Sequence, residues 1–210
     1  MLTSDNIKTM TKQKRKVILG VDIDGTVGGY IECLREYMAV KFDVPKDEMW
    51  DYFPEPIDYN FSNWQYVFSD FKNLHSEAVA NGIYEEMAVF PQASEKLWKL
   101  NDEDFHLRVM TSRFVKHGQN FQVVNATGKW LDKHNIPYRD LMFVHEKTDV
   151  FVDLLIDDSP YNIEGYQALG RKVIIFDAPY NKHLEGPRVD NWEDAYKMIK
   201  EMFPNGIIEA

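Results

Sequence analysis

The sequence predicts an α/β fold in which a parallel sheet is covered by helices, and three observations carry that reading. Five short runs, Val17–Val21, Leu107–Met110, Leu141–Val144, Asp153–Ile156 and Lys172–Phe176, are mostly solidly apolar, as strands buried on both faces must be. Longer amphipathic or polar stretches separate them, leaving room for helices between strands. Several runs stop abruptly in polar groups, at Asp22, at Thr111–Ser112 and at Asp157–Asp158. In open parallel sheets ligands bind beyond the carboxyl ends of the strands, where those groups would lie.

The helices have readable ends. Tyr30, Ile31, Leu34, Tyr37 and Met38 repeat at helical spacing, and Pro45 stops anything further. Trp64, Val67, Phe68, Phe71, Leu74 and Ala78 trace a second stripe, which Asn81–Gly82 would end. Pro91 suits the first turn of a helix through Leu100, and Pro160 opens another that ends at Gly170. Trp192 through Met202 reads as a closing helix capped by Asp190 or Asn191. From about 46 to 89 the strand–helix alternation lapses: Pro54, Pro56, two tryptophans and many other aromatics occur there, but no clear buried strand. We expect a mainly helical insertion after the first strand–helix unit, covering the sheet end. The expected organisation is a flexible tail over 1–16, a core formed by 17–45 with 90–210, and a small helical cap over 46–89.

The chain has 210 residues, 44% of them hydrophobic and 14% aromatic, enough material for one real core. Its net charge of −10, from 24 basic and 34 acidic side chains, disfavours binding to nucleic-acid polymers. A small phosphate would also be repelled, unless a metal, lysine or arginine supplies a local cation. Lys12, Lys14, Arg15 and Lys16 could touch nucleic acid but fit a solvated lead-in better. Cys33, the single cysteine, could be a nucleophile, but it sits in an amphipathic helical stretch and reads as packing. One cysteine, a polar N-terminus and no membrane-length apolar run make the cytoplasm, with no membrane attachment, the expected setting. The six histidines, at 75, 106, 117, 134, 145 and 183, lack metal-binding spacing and read as surface or packing.

Asp22 and Asp24 close the first run in Val-Asp-Ile-Asp-Gly-Thr, and residues two apart in extended backbone project to one side. Gly25 permits a tight turn that leaves backbone amides free for an anion. An Asp-x-Asp pair alone is more often a turn or cap. Asp157–Asp158, after Leu-Leu-Ile, repeat the pattern on a second run, and crowded carboxylates repel unless a cation or shared proton relieves them. On neighbouring strands these oxygens would suit octahedral magnesium. Thr111 and Ser112 offer hydroxyl and amide donors at another strand end, or a helix cap. Lys147, ten residues before Asp157, is either the missing cation or an ordinary solvated lysine.

Taken in order, Asp22-Ile-Asp24-Gly25-Thr26, Thr111-Ser112, Lys147 and Asp157-Asp158 resemble the four motifs of the haloacid dehalogenase superfamily. The resemblance implies a three-layer, Rossmannoid parallel α/β core, with the Asp22 strand between those bearing Thr111 and Asp157, and an inserted cap. A narrower match, to the 5′(3′)-deoxyribonucleotidases, rests on the stretch from His145 to Pro160. Asn81-Gly-Ile-Tyr84 running into Phe90-Pro-Gln-Ala93, Asn181-Lys-His-Leu184 and Asn191-Trp-Glu-Asp194 extend it. The family usually has valine where Thr26 stands and proline where Arg113 stands, and the match between Lys46 and Ala80 is poor.

By position, the resemblance implies a magnesium-dependent phosphomonoesterase in which Asp22 attacks phosphorus and Asp24 is acid, then base. It implies metal ligands in Asp22, the Asp24 carbonyl and Asp158, with Asp157 ordering bound water. Thr111, Ser112, Lys147 and Gly25 would hold the transferred group. Tyr84, Trp64, Phe68 and Arg113 are the candidates for substrate contact, though core packing is the stronger reading for Trp64, Phe68 and Phe71. The expected substrate is a nucleoside monophosphate. A sugar phosphate or phosphoglycolate, or a non-catalytic phosphate-binding protein, is the alternative. The oligomeric state stays open, a homodimer included.

Overall fold

The computed structural model describes residues 14–67, 71–113 and 120–209. Its strands are β1 (Lys14–Lys16), β2 (Ile18–Val21), β3 (His106–Thr111), β4 (Asp140–Phe143), β5 (Leu154–Asp157), β6 (Val173–Phe176), β7 (Arg188–Val189) and β8 (Ile207–Glu209). Its helices are α1 (Tyr30–Lys41), α2 (Met49–Tyr52), α3 (Phe71–Ala80), α4 (Ile83–Glu86), α5 (Ala93–Asp102), α6 (Asn120–Lys133), α7 (Pro160–Ala168) and α8 (Trp192–Met202). Six strands form one parallel sheet in the order β4-β3-β2-β5-β6-β7.

The solid apolar character of the runs follows from burial on both faces. Leu19 and Val21 of β2 pack with Leu154 and Ile156 of β5, against Leu97, Leu100, Trp130, Trp192 and Ile199 from α5, α6 and α8. On the other face, Met110, Leu155, Val173 and Ile175 pack against Ile163 and Tyr166 of α7. Gly20 lies on that second face, where an added Cβ would stand 3.0 Å from Val152. Glycine in β2 thus leaves room there for the Val152 and Met110 side chains.

All five expected strands form. The structure adds β7, too short to read, and a separate antiparallel pair in which Lys14–Lys16 meet Ile207–Glu209. Residues 14–16, expected within a flexible tail, are thus paired, while residues 1–13 lie outside the described residues. Helix α6, not singled out in the sequence, buries Val123, Thr127, Trp130 and Leu131. Helix α7 opens on Pro160 and ends before Gly170, at φ 64°. Helix α8 is capped by Asn191, whose side chain accepts from the Asp194 amide at 2.9 Å. The stripe from Trp64 to Ala78 is only partly helical: α3 begins at Phe71, Trp64 and Val67 lie in turns, and Phe68 falls outside the described residues. Gly82 follows with φ 89°.

The aromatic stretch 46–89 builds its own cluster around Phe53, Phe61, Trp64, Val67, Ala78, Ile83 and Tyr84, joined by Ile31, Leu34 and Met38 of α1. Arg35 runs through it, donating to the Phe53 carbonyl at 2.8 Å with its guanidinium 3.8 Å from the Trp50 ring. Among the described residues no helix is long and apolar enough to cross a membrane.

Candidate active site

The three central strands end side by side, and the chemistry sits at their carboxyl ends. Asp22 follows β2, with its amide donating to the Ile156 carbonyl of β5 at 3.0 Å. Ser112 follows β3, and Asp157 closes β5 ahead of Asp158. A short 3₁₀ turn over Lys147–Asp149 delivers the Lys147 side chain, nearly fully buried, between two of these carboxylates. Its ammonium donates to Asp22 and, at 2.8 Å, to Asp157 Oδ2.

Asp22, Asp157 and Asp158 each place a carboxylate oxygen within 4.8 Å of the others. One ammonium among three buried carboxylates leaves excess negative charge, and the proton affinities show it. Burial, opposed by Lys147 and reinforced by Asp157 and Asp24, pushes Asp22 up to about 7. Burial first, then the charges of Asp22 and Asp157, pushes Asp158 well above the usual carboxylate range. Burial disfavours the Lys147 ammonium, but Asp157 and Asp22 outweigh it and raise its proton affinity. An oxygen-only donor set that clings to protons fits a hard divalent cation, which would relieve the same repulsion.

The two adjacent aspartates are not equivalent. Asp157 is saturated by protein donors: Lys147 on Oδ2, the Ser159 amide on Oδ1 at 2.9 Å, and the Asn162 amide group at 3.1 Å from both oxygens. Asp158 accepts from the Tyr180 hydroxyl and, at 3.3 Å, from Thr26 Oγ1. Asp158 is therefore the better placed to offer an oxygen to a cation, and Asp157 to hold Lys147.

Gly25 makes the tight turn expected of it, but the space it leaves has another use. Its φ is +79°, and an added Cβ would sit 2.1 Å from Asp158 Oδ2. Its amide is not free for an anion: it donates to the Gly28 carbonyl at 2.8 Å. Glycine here makes room for the Asp158 carboxylate. Thr111 differs as well. It is fully buried, and its Oγ1 accepts from the Arg113 amide at 3.3 Å, so of the pair only Ser112 reaches the cleft.

Asp24 points away from the three-carboxylate group. Both its oxygens accept from Arg113, Nε to Oδ2 at 2.8 Å and Nη2 to Oδ1 at 2.7 Å. Arg113 also donates to Thr127 Oγ1 at 2.9 Å and lies 4.0 Å from the centre of the Tyr84 ring. Arg113, a candidate for substrate contact, is thus engaged mainly in orienting Asp24.

A cleft of about 150 Å³ opens on these groups. Asp22, Asp24, Ser112, Arg113 and Lys147 line its base, with Ser159 and Asn162 beside them. Tyr30, Tyr59, Phe61, Phe71, His75, Tyr84 and Tyr180 form the rest of the wall. Of the expected substrate contacts, Tyr84 and Arg113 reach the cleft, and Phe68 lies outside the described residues. Trp64 does not reach it: this buried side chain donates to the Pro54 carbonyl at 2.6 Å and packs on Phe53 and Phe61. Sequence reasoning missed Tyr30, Tyr59, Phe61, His75 and Tyr180. Only Tyr180 carried a signal, since it directly precedes the Asn181-Lys-His-Leu184 stretch.

Residues 15–203 match the family described as 5′ nucleotidase, deoxy (pyrimidine), cytosolic type C protein. A protein of Chlorobaculum tepidum described as a candidate 5′(3′)-deoxyribonucleotidase is 36% identical over 195 residues, 92% of this chain and 95% of its own. A 5′(3′)-deoxyribonucleotidase of Clostridium acetobutylicum is 27% identical over 194 residues, covering 89% of this chain and 97% of its own. Among solved structures, a haloacid dehalogenase-like hydrolase of Streptococcus pneumoniae superposes with a TM-score of 0.54 at 12% identity, over 88% of this chain and 98% of the other. At that identity the likeness concerns the fold.

Proposed function

The chain belongs to the cytosolic type C family of 5′-nucleotidases, deoxy (pyrimidine), and from that premise we propose a magnesium-dependent 5′(3′)-deoxyribonucleotidase working through an aspartyl-phosphate. Membership makes it a hydrolase of nucleotide phosphomonoesters. The observation that carries the finer reading is the buried group of Asp22, Asp157 and Asp158 gathered around Lys147 at three strand ends.

In this reading Asp22 attacks phosphorus, the bond from phosphorus to the leaving oxygen breaks, and Asp24 gives that oxygen a proton. Asp24 then takes a proton from the water that attacks the phosphorylated Asp22, releasing phosphate and restoring the Asp22 carboxylate and the protonated Asp24. Asp24 has both oxygens on Arg113, so one must exchange that partner for the leaving oxygen. Lys147 and Ser112 stabilise the charge on the transferred group. Magnesium, held by Asp22, Asp158 and the Asp24 carbonyl, would neutralise charge between nucleophile and phosphoryl group. Residues 46–89 serve as the cap, over a core of 17–45 and 90–210. A cytoplasmic setting belongs to the same proposal.

The test compares kcat/KM for thymidine, deoxyuridine and deoxyguanosine monophosphates with glucose 6-phosphate and phosphoglycolate, with and without magnesium. We expect a deoxynucleotide to lead, and excess EDTA to abolish turnover. A sugar phosphate or phosphoglycolate in the lead removes the nucleotidase reading, and full activity in EDTA removes the metal.

A further inference from the structure

His75 is the one histidine on the cleft wall among the described residues, and both its ring nitrogens are engaged there. Nδ1 lies 2.6 Å from the Tyr30 hydroxyl and Nε2 lies 3.2 Å from the Tyr84 hydroxyl. The ring also packs against Phe71, with centroids 5.9 Å apart. Burial, opposed by the charge of Asp24 and aided by that of Arg113, holds its proton affinity below the ordinary histidine value. At neutral pH the ring therefore carries one proton, so one nitrogen donates and the other accepts.

That leaves two arrangements of the same three protons. In the first, the Tyr30 hydroxyl donates to Nδ1, Nε2–H donates to the Tyr84 oxygen, and the Tyr84 hydroxyl proton is free for a ligand. In the second, Tyr84 donates to Nε2, Nδ1–H donates to Tyr30, and the Tyr30 proton is free. The cleft always offers one hydroxyl donor and one hydroxyl that only accepts, and the two exchange roles when the imidazole proton changes nitrogen through exchange with water. Uracil-type rings carry a carbonyl where cytosine-type rings carry an amino group, so a site with fixed polarity must leave one of them with an unpaired polar group.

We propose that Tyr30, His75 and Tyr84 form the element that reads the substrate's ring, accepting a ring carbonyl or a ring amino group alike by exchanging these two arrangements. The proposal rests on the nucleotidase reading above. Nothing in the phosphate site requires such a relay. It shares the cleft wall with Phe61, Phe71 and Tyr59, whose faces can stack on a ring.

The experiment measures kcat/KM for deoxyuridine monophosphate, deoxycytidine monophosphate and glycerol 3-phosphate in the full chain and in His75→Phe, Tyr30→Phe and Tyr84→Phe. In the unaltered protein the two nucleotides should agree within about threefold, because neither leaves a group unpaired. His75→Phe keeps an aromatic ring against Phe71 but ends the relay, so the ratio of nucleotide to glycerol 3-phosphate should fall about tenfold or more. Each tyrosine variant deletes one end and pins the polarity, so at least one should shift the deoxyuridine-to-deoxycytidine ratio about fivefold or more. Melting curves confirm that each variant is folded. The relay is overturned if the unaltered protein separates the two nucleotides by more than about thirtyfold, or if nucleotides and glycerol 3-phosphate fall in parallel in His75→Phe. It is also overturned if neither tyrosine variant moves the ratio. Preference of the unaltered protein for glycerol 3-phosphate over both nucleotides sinks the nucleotidase reading and the relay together, whereas the other outcomes sink the relay alone.

Discussion

The carboxyl end of the sheet and the aromatic wall over it solve positioning in opposite ways. At the sheet end, hydrogen-bonded strands fix each functional group to within a residue: Val21 pairs with Val109 and Ile156, so the residues that follow must meet. In the wall, Tyr59 and Phe61 lie outside helices and strands, Tyr84 sits on the four-residue α4, and side chains are placed by ring against ring, such as Phe61 stacked 5.1 Å from Phe71. Charge divides the two regions as well. The sheet end holds buried carboxylates whose proton affinities are driven up, whereas the wall holds neutral groups. A backbone lattice can hold groups that repel one another, which ring-against-ring packing cannot. Chemistry that needs crowded charge therefore belongs on the strands, and selection that needs adaptable shape belongs on the wall.

The largest effect should come from the first region. Asp22→Asn removes the attacking oxygen while keeping the shape, and kcat should fall roughly 10⁴-fold or more. The fold should survive, because Lys147 keeps Asp157 at 2.8 Å, and burial already disfavours ionised Asp22. The measurement is phosphate release beside a melting curve. Retained turnover by a folded Asp22→Asn protein rules out the covalent route and the division of labour with it.

Gly25→Ala should act more moderately, and again through the sheet end. Its Cβ would meet Asp158 Oδ2 at 2.1 Å, on backbone with φ +79° that alanine adopts only with strain. Displacing Asp158 should raise the magnesium concentration for half-maximal activity by roughly 10- to 100-fold, the loss typical of disturbing groups around a metal. An unchanged magnesium requirement would show that Asp158 lies outside the metal site.

The same contrast explains what the sequence disclosed. Asp22, Asp157 and Asp158 were legible because each follows an apolar run, and order along the chain translated into strand neighbours. Lys147 was legible only through the superfamily pattern, since nothing local distinguishes a buried ammonium from a solvated one. Gly25 was noticed for half of its role. The positive φ is the backbone freedom that a glycine signals, but the room it also leaves serves a carboxylate 133 residues downstream that no local pattern shows. On the wall the sequence offered a dense set of aromatics without saying which face each would show. Phe61 reaches the cleft and Trp64 does not, yet both are buried in one cluster three residues apart. His75 was passed over because metal-type spacing was the only histidine signal sought, and hydrogen bonding to two tyrosines leaves none.

The smallest effect should be Trp64→Phe, which probes the wall away from the cleft. The indole donates to the Pro54 carbonyl at 2.6 Å and packs against Phe53 with centroids 5.4 Å apart. Phenylalanine keeps most of the packing but strands that carbonyl and leaves a small void. The expected cost is about 1–2 kcal/mol, and for a chain of this size about 2–8 °C in Tm. Because Trp64 does not itself line the cleft, the ratio of kcat/KM between any two substrates should stay within about twofold. A shift of that ratio beyond about fivefold, with Tm unchanged, would mean that the wall transmits packing into selection. The cleft could then no longer be treated as a set of separate contacts: Phe61, which touches both Trp64 and Phe71, would be the point at which packing and recognition meet.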